Sequence, residues 1–135
     1  MTREDKELLL KDLCARLPYG VKASYYGAEE ERETWDEIES VTLDGYVDIG
    51  QYSLSIEHIK PYLFPMSSMT EEQKREYNNL QYEVPIYYYE YGELVEKIEF
   101  HHTLESFEYL IKNHFDYRGL IEKGLAIDAT GLNIY

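Results

Sequence analysis

The first pattern of apolar and polar positions along the chain is helical. Three leucines and a cysteine recur at spacings of four between Leu9 and Cys14. Thr2 is a suitable N-cap residue before this stretch, and Pro18 is a suitable stop after it. The pattern predicts a helix over residues 3–17, with Cys14 buried in the core as a small apolar side chain.

Between residues 20 and 59 the pattern changes to short β-like runs separated by turn residues such as Asp44-Gly45. The predicted strands cover residues 21–26, 34–43, 46–49 and 52–56. Residues 61–65 begin and end with proline, and we expect them to form an irregular apolar strap across the sheet. Thr70 and Gln73 then have the spacing of a capping box for a second, polar helix over residues 71–80.

The most β-prone stretch is 84–91, and Gly92-Glu93 would turn it back into residues 94–100. We interpret the two runs as a hairpin, although the apolar residues of 94–100 also fit one face of a helix. Thr103 is expected to cap a third helix that extends through Phe115.

These elements predict an α+β fold with an N-terminal helix, a central antiparallel sheet of five to six strands, and two further helices packed against it. No internal repeat or change of composition divides the 135 residues, so we expect a single domain over 1–135. No apolar run is long enough to span a bilayer, and the charged N-terminus does not resemble a signal peptide. We therefore expect a cytoplasmic protein.

The net charge of the chain limits the classes of partner that it can bind. The chain has 27 acidic and 13 basic residues, for a formal net charge of -14. Such a charge repels nucleic-acid phosphates and anionic membranes, so we expect no direct nucleic-acid partner and no membrane partner. The negative charge favours a basic protein as partner. The alternative is that the acidic residues serve only to keep the protein soluble.

The acidic stretch from Glu29 to Asp48 contains nine carboxylates and the single tryptophan. If 34–43 is a strand, residues 35, 37, 39 and 41 share one face. An aromatic side chain within an acidic rim is a suitable contact surface for a basic protein. The alternative is a solvated outer face with the tryptophan folded onto the core. The predicted partner-binding residues here are Glu30, Glu33, Trp35, Glu37 and Glu39.

Tyrosine occurs 15 times, and Tyr87, Tyr89 and Tyr91 would share one face of a strand. Exposed tyrosines are enriched at protein interfaces, so we include Tyr87 and Tyr89 among the predicted partner-binding residues. A homodimer could form through the strand at 82–91. Packing between the two strands of the hairpin explains the tyrosines equally well.

Asp116 and Arg118 precede Gly119 and could shape a recognition loop. Alternatively, they pair with each other and tie the C-terminal segment to the body.

The four histidines lack the spacing of a metal site, and no nucleophile, phosphate-binding or dinucleotide motif is present. We therefore predict no catalytic residue, no metal site and no cofactor.

Three segments resemble a known family. They are residues 13–21 (LCARLPYGV), 59–73 (IKPYLFPMSSMTEEQ) and 114–126 (HFDYRGLIEKGLA). The chain is similar there to a family of small uncharacterised proteins encoded in phages, prophages and mobile elements of anaerobic gut bacteria. The resemblance implies an accessory protein of a mobile element, and it carries no activity or site residue.

The sequence as a whole favours a non-enzymatic acidic accessory protein that binds a basic host or phage protein, for example as an inhibitor or a nucleic-acid decoy. One alternative is a small-molecule or nucleotide-binding protein. Its pocket would be lined by tyrosines beneath the 61–65 strap, with Lys60 and Arg118 holding a phosphate. A structural homo-oligomer is the other alternative.

Overall fold

The computed structural model describes all residues from 1 to 135 and has an α+β fold that begins with a helix, as predicted. Its α-helices are α1 (Arg3–Arg16), α2 (Glu71–Leu80) and α3 (Leu104–Lys112). Its strands are β1 (Lys22–Gly27), β2 (Arg32–Val41), β3 (Tyr46–Ile49), β4 (Tyr52–Ser55), β5 (Ile59–Pro65), β6 (Tyr82–Glu90), β7 (Glu93–His101), β8 (Phe115–Asp116) and β9 (Ile127–Asp128). None of the helices combines the length and the apolar character that crossing a membrane requires.

The chain divides into two compact units. The main unit consists of residues 1–68 and 111–135, and the hairpin unit consists of residues 69–110. The hairpin unit is therefore inserted into the sequence of the main unit between β5 and β8.

The main unit is built on a seven-stranded mixed sheet. Five antiparallel strands run in the order β4-β3-β2-β1-β5, and the short strands β8 and β9 both pair with β5 in parallel. Strands β1 to β4 match four predicted strands, whereas β5 was expected to be an irregular strap and the predicted hairpin forms a separate two-stranded sheet. The parallel pairs were not predicted, because two-residue strands leave no periodic signal and their partner lies far away along the chain.

The prediction of an irregular strap at residues 61–65 is wrong, because these residues belong to the regular strand β5. Pro61 lies opposite Ala23 of β1, and Pro65 is the last residue of the strand. Each proline removes one backbone donor, but the remaining groups still form the ladder. The amide of Phe64 donates to the carbonyl of His114 at 2.8 Å, and the carbonyl of Leu63 accepts from Ala129 at 2.8 Å.

Helix α1 buries a narrow face with the spacing expected for a helix on a sheet. Leu9, Asp12, Leu13 and Arg16 form that face. The expected burial of Cys14 is wrong, because this residue is exposed. One position after Leu13, it lies about 100° around the helix axis from the buried face. The core cluster consists of Leu9, Leu13, Val21, Ala23, Tyr25, Ile38, Val47, Ile49, Ile56, Ile59, Leu63, Leu120, Leu125 and Ala126.

Two charged residues of α1 lie inside this buried face. Arg16 Nε donates to Asp12 Oδ2 at 2.8 Å, and both side chains are fully buried. Arg16 Nη2 also donates to the carbonyl of Phe115 at 2.6 Å. Arg118 Nε lies 3.3 Å from Asp12 Oδ1, an ion pair without hydrogen-bond geometry. These contacts fix α1 to the segment that enters β8.

The third helix ends at Lys112, so its predicted extension through Phe115 is wrong. His114 adopts a left-handed φ of 64°, which stops the helix and turns the chain into β8. The ring of His114 stacks on Tyr135, with 3.6 Å between ring centroids. Lys112 in the last turn and Asn113 directly after it are known signals of a helix C-terminus, so this ending could have been predicted from the sequence.

The hairpin unit contains the predicted hairpin, and residues 94–100 are a strand. Strands β6 and β7 pair over nine positions, from Tyr82 opposite His101 to Glu90 opposite Glu93. The turn consists of Tyr91 and Gly92, both with positive φ, one residue earlier than predicted.

Thr70 caps α2 through the predicted reciprocal pair with Gln73. Thr103 caps α3, accepting from the amide of Ser106 at 3.0 Å.

Helix α1 offers a matched comparison of buried and exposed charge pairs with the same spacing of four. Replacing Asp12 by alanine leaves the buried Arg16 cation without its carboxylate, so we expect the free energy of unfolding to fall by about 3–5 kcal/mol. The Arg3–Glu7 pair is largely exposed, and Glu7→Ala should change that free energy little. Urea denaturation of both variants tests this prediction. Equal losses would contradict the structural role of the buried pair.

His114 should make the protein less stable as the pH falls. Burial lowers the pKa of His114 from 6.5 to about 4, with further contributions from the charges of Arg16 and Lys22. The folded state therefore disfavours the protonated ring, and stability is complete above pH 6.5 and declines as the pH falls towards 4. Between pH 7 and pH 5 we expect a loss of about 1 kcal/mol, measured by urea denaturation, because solvent screens part of the effect at this incompletely buried ring.

His114→Asn is the control for this pH dependence, because asparagine tolerates the left-handed backbone and does not titrate. This variant should be less stable at pH 7 but should lose little more on acidification to pH 5. A decline as steep as that of the wild type would assign the effect to other groups.

Candidate functional site

The outer face of strands β1, β2 and β5, opposite the face that carries the core, presents polar residues around Trp35, together with the half-exposed Tyr26 that pairs with Glu33. Directly paired residues of neighbouring strands lie on the same face of a sheet. Trp35 and Lys60 both pair with Ser24, and Glu37 pairs with Lys22. We define the Trp35 surface by these residues and the next outward position on β2: Lys22, Ser24, Glu33, Trp35, Glu37 and Lys60.

Trp35 is the central aromatic residue of this surface. Its side chain is 45% exposed, so it is not folded onto the core. The ammonium group of Lys22 lies 5.3 Å from the Trp35 ring centroid and 5.6 Å from that of Tyr135. The same group donates to the carbonyl of Ile134 at 2.8 Å. Lys22 therefore holds one side of the indole in place and leaves the rest open to a partner.

Glu33 and Glu37 flank Trp35 at two residues before and after it on β2, and both are exposed. Ser24 donates a weak hydrogen bond of 3.4 Å to Glu33. Lys60 brings a positive charge to the same face, one strand beyond Ser24. The surface thus combines two exposed carboxylates with two lysines, whereas the sequence predicted a rim of carboxylates alone.

The expected alternation along β2 ends at Ile38. The register shifts between Ile38 and Ser40, which places Glu39 in an irregular position. After the shift, Val41 pairs with the core residue Val47 and therefore faces the core. Glu39 is exposed but outside the regular ladder, and the prediction that residue 41 shares a face with Trp35 is wrong. A β-bulge of this kind changes which face later residues occupy.

Glu30 has a structural partner on the core side of the sheet. Its carboxylate accepts from the hydroxyl of Tyr52 at 2.8 Å, and the ring of Tyr52 packs against the core residue Tyr25. The neighbouring Glu29 accepts from Gln51 at 2.7 Å. Glu30 thus fastens the β1–β2 turn to the β3–β4 turn and is not part of the Trp35 surface.

Tyr87 and Tyr89 belong to the hairpin unit, where both are exposed. They lie on one face of β6 with two-residue spacing, as predicted. Tyr87 donates a long hydrogen bond of 3.5 Å to Glu96 across the hairpin, whereas Tyr89 is 76% exposed. These two tyrosines form a surface of their own unit.

Asp116 and Arg118 are both engaged within the main unit. Asp116 accepts from the amides of Leu120 and Ile121, each at 2.9 Å. Arg118 pairs with Asp12 instead of Asp116, so the alternative of a local Asp116–Arg118 pair is wrong. Gly119 does adopt the positive φ that its position suggested. The carboxylate therefore shapes the turn, and the guanidinium contributes to the buried charge cluster.

A pocket of about 380 Å³ adjoins the Trp35 surface and shares residues with it. It is lined by Ser24, Glu33, Glu57, His58, Lys60 and Ile127. A second pocket of about 380 Å³ lies beside Pro65, where Tyr117 is its only tyrosine. The small-molecule hypothesis required a strap above a tyrosine-lined pocket, but residues 61–65 are a strand and Arg118 is paired with Asp12.

The contribution of Lys22 to the Trp35 surface was not predicted. Lys22 and Trp35 are 13 positions apart in the sequence, and their contact depends on the register between β1 and β2 and on the position of Tyr135. Sequence periodicity assigns faces within one strand but does not give the register between strands. The buried Asp12–Arg16 pair did leave a signal, since both charges lie at helical spacing within a run of leucines.

The arrangement contains no group of three or more histidine, cysteine or acidic side chains placed to hold a metal ion. The Trp35 surface instead offers an exposed indole, two carboxylates and two ammonium groups for contact with another molecule. Comparison of the chain with protein-family models, curated proteins and solved structures finds no match.

Proposed function

We propose that this chain is a non-enzymatic protein that binds a basic protein through the Trp35 surface. The observation that carries the proposal is the exposure of Trp35 between Glu33 and Glu37. Tryptophan contributes strongly to binding when a partner covers it, and flanking charges set the orientation of the partner. A side chain of this size, exposed on an open sheet, supports a contact role more than a packing role.

Charge favours a basic partner at both long and short range. The net charge of -14 creates a field that accelerates association with cationic proteins. At the surface itself, Glu33 and Glu37 adjoin Trp35 on β2 and are exposed. Of the two lysines, Lys22 is partly covered and already bound to Ile134, and the exposed Lys60 lies two strands away from the indole. The carboxylates are therefore the more accessible charges beside the indole.

We further propose that the role is that of an accessory factor of a mobile element, in line with the resemblance of residues 13–21, 59–73 and 114–126. A protein surface that binds nucleic acid is rich in lysine and arginine. A strongly acidic chain that presents Glu33, Trp35 and Glu37 could cover such a basic surface and exclude its nucleic acid. Inhibition by charge mimicry is thus the concrete form of the proposal.

The test is capture of proteins from a bacterial lysate by the tagged wild-type chain and by two double variants that have the same net charge as each other. We expect the wild type to retain a basic protein at about 0.05 M salt and to release it at about 0.5 M, because salt screens the interaction. Glu33→Lys with Glu37→Lys should reduce capture of that same protein at least tenfold, as quantified by mass spectrometry. Trp35→Ala should reduce it to a similar extent.

Two matched controls separate the surface from overall charge and from general loss of aromatic residues. Glu90→Lys with Glu93→Lys makes the same change of net charge at the tip of the hairpin. Tyr46→Ala removes another half-exposed aromatic side chain from the main sheet. Both controls should capture the protein normally. The proposal fails if the Glu90/Glu93 variant loses as much capture as the Glu33/Glu37 variant.

A further inference from the structure

The hairpin unit has an open face made largely of apolar and aromatic side chains. In the β6–β7 register, paired residues alternate between two faces of the ribbon. On one face Val84, Ile86 and Val95 are partly buried. On the other face every residue is exposed, and we call it the open hairpin face. Its apolar members are Pro85, Tyr87, Tyr89, Leu94, Ile98 and Phe100.

The ribbon also has two outer edges without a strand neighbour, because its sheet contains only β6 and β7. A two-stranded hairpin alone is marginally stable in water, and three or more strands with an apolar face are usually needed. Free edges of nine-residue strands expose backbone donors and acceptors to pairing with another strand. An additional strand would therefore form hydrogen bonds with the free backbone groups of the edge, and it would also enlarge the apolar face.

The two edges differ in their capacity for pairing. Strand β6 contains Pro85, which has no backbone N–H to donate. Strand β7 contains no proline and no glycine over its length from Glu93 to His101. Of the two edges, β7 is thus the one with an uninterrupted row of backbone groups.

Charge and the number of paired residues together favour one register between two copies of β7. When two identical strands pair antiparallel about a two-fold axis, one residue lies opposite its own copy. An axis at Lys97 or Glu96 sets like charges against each other, which is unfavourable. An axis at Val95 pairs only residues 93–97 of β7, whereas an axis at Ile98 brings residues 95–101 of both copies together. It places Lys97 opposite Glu99 of the second copy, and this opposite-charge pair occurs twice.

We propose that β7 pairs with β7 of a second copy of this chain, antiparallel and centred on Ile98. The product is a four-stranded sheet in the order β6-β7-β7-β6. The two open hairpin faces join side by side, with the Ile98 side chains of both copies in contact. The inference rests on the hairpin unit alone and is independent of the function proposed for the Trp35 surface.

A charge exchange at β7 tests this proposal. Sedimentation equilibrium of the full chain at about 0.3 M salt, where repulsion between the acidic chains is screened, should give twice the monomer mass of 16.1 kDa. Lys97→Glu alone places two glutamates opposite each other, and Glu99→Lys alone places two lysines opposite each other. Each should weaken association at least tenfold. The double variant, Lys97→Glu with Glu99→Lys, should restore it.

Lys74→Glu is the matched control, since it makes the same charge change on α2 and should leave association unchanged. Lys97 and Glu99 have exposed side chains, 3.9 Å apart within one chain, and circular dichroism verifies that each variant is folded. A wild type with the mass of a single chain at 0.5 mM would overturn the proposal. So would single variants that associate as tightly as the wild type.

Cross-linking examines the register separately. Directly opposed residues of antiparallel strands lie about 4.5–5.5 Å apart between Cα atoms, which suits a disulfide. With the exposed Cys14 replaced by serine, Ile98→Cys should form a covalent dimer on oxidation with diamide. Leu94→Cys should not, because its two copies would lie about 27 Å apart along the strands. Equal cross-linking of both variants would overturn the register centred on Ile98.

Discussion

The contact on which the main unit depends most is the buried pair between Asp12 and Arg16. A buried guanidinium is costly unless a carboxylate pairs with it. Here the carboxylate lies one helical turn away and the remaining partner is the carbonyl of Phe115, almost a hundred positions later in the chain. This requirement fixes the orientation of α1 and the entry into β8 together. It also explains why α1 can carry charges on its buried face.

The sequence predicted the local elements well, because their signals are local. Thr70 with Gln73 located the start of α2, and the β-prone run before Gly92 located the hairpin. The failures concern features set by distant residues. Pro61 and Pro65 suggested an irregular strap, but pairing with β1, β8 and β9 makes the segment a strand. Cys14 was assigned to the core although it is exposed.

The candidate site was predicted only in part, for a similar reason. Trp35 and Glu37 do share an exposed face, as alternation along one strand requires. Glu30 does not join them, because its partner Tyr52 lies on another hairpin of the sheet. The shift of register after Ile38 removes Glu39 from the regular face. A single sequence contains no signal for such a bulge, since the residues around it are ordinary strand residues.

The position of the hairpin unit between β5 and β8 has a consequence for synthesis on the ribosome. Strand β5 lacks its parallel neighbours until residues 115 and 127 have left the exit tunnel, and by then the whole hairpin unit has emerged. During that interval Arg16 can bind Asp12 but not the carbonyl of Phe115. The hairpin unit, whose contacts are local, can form first. The nascent chain would thus carry a formed edge strand while its main sheet is still open.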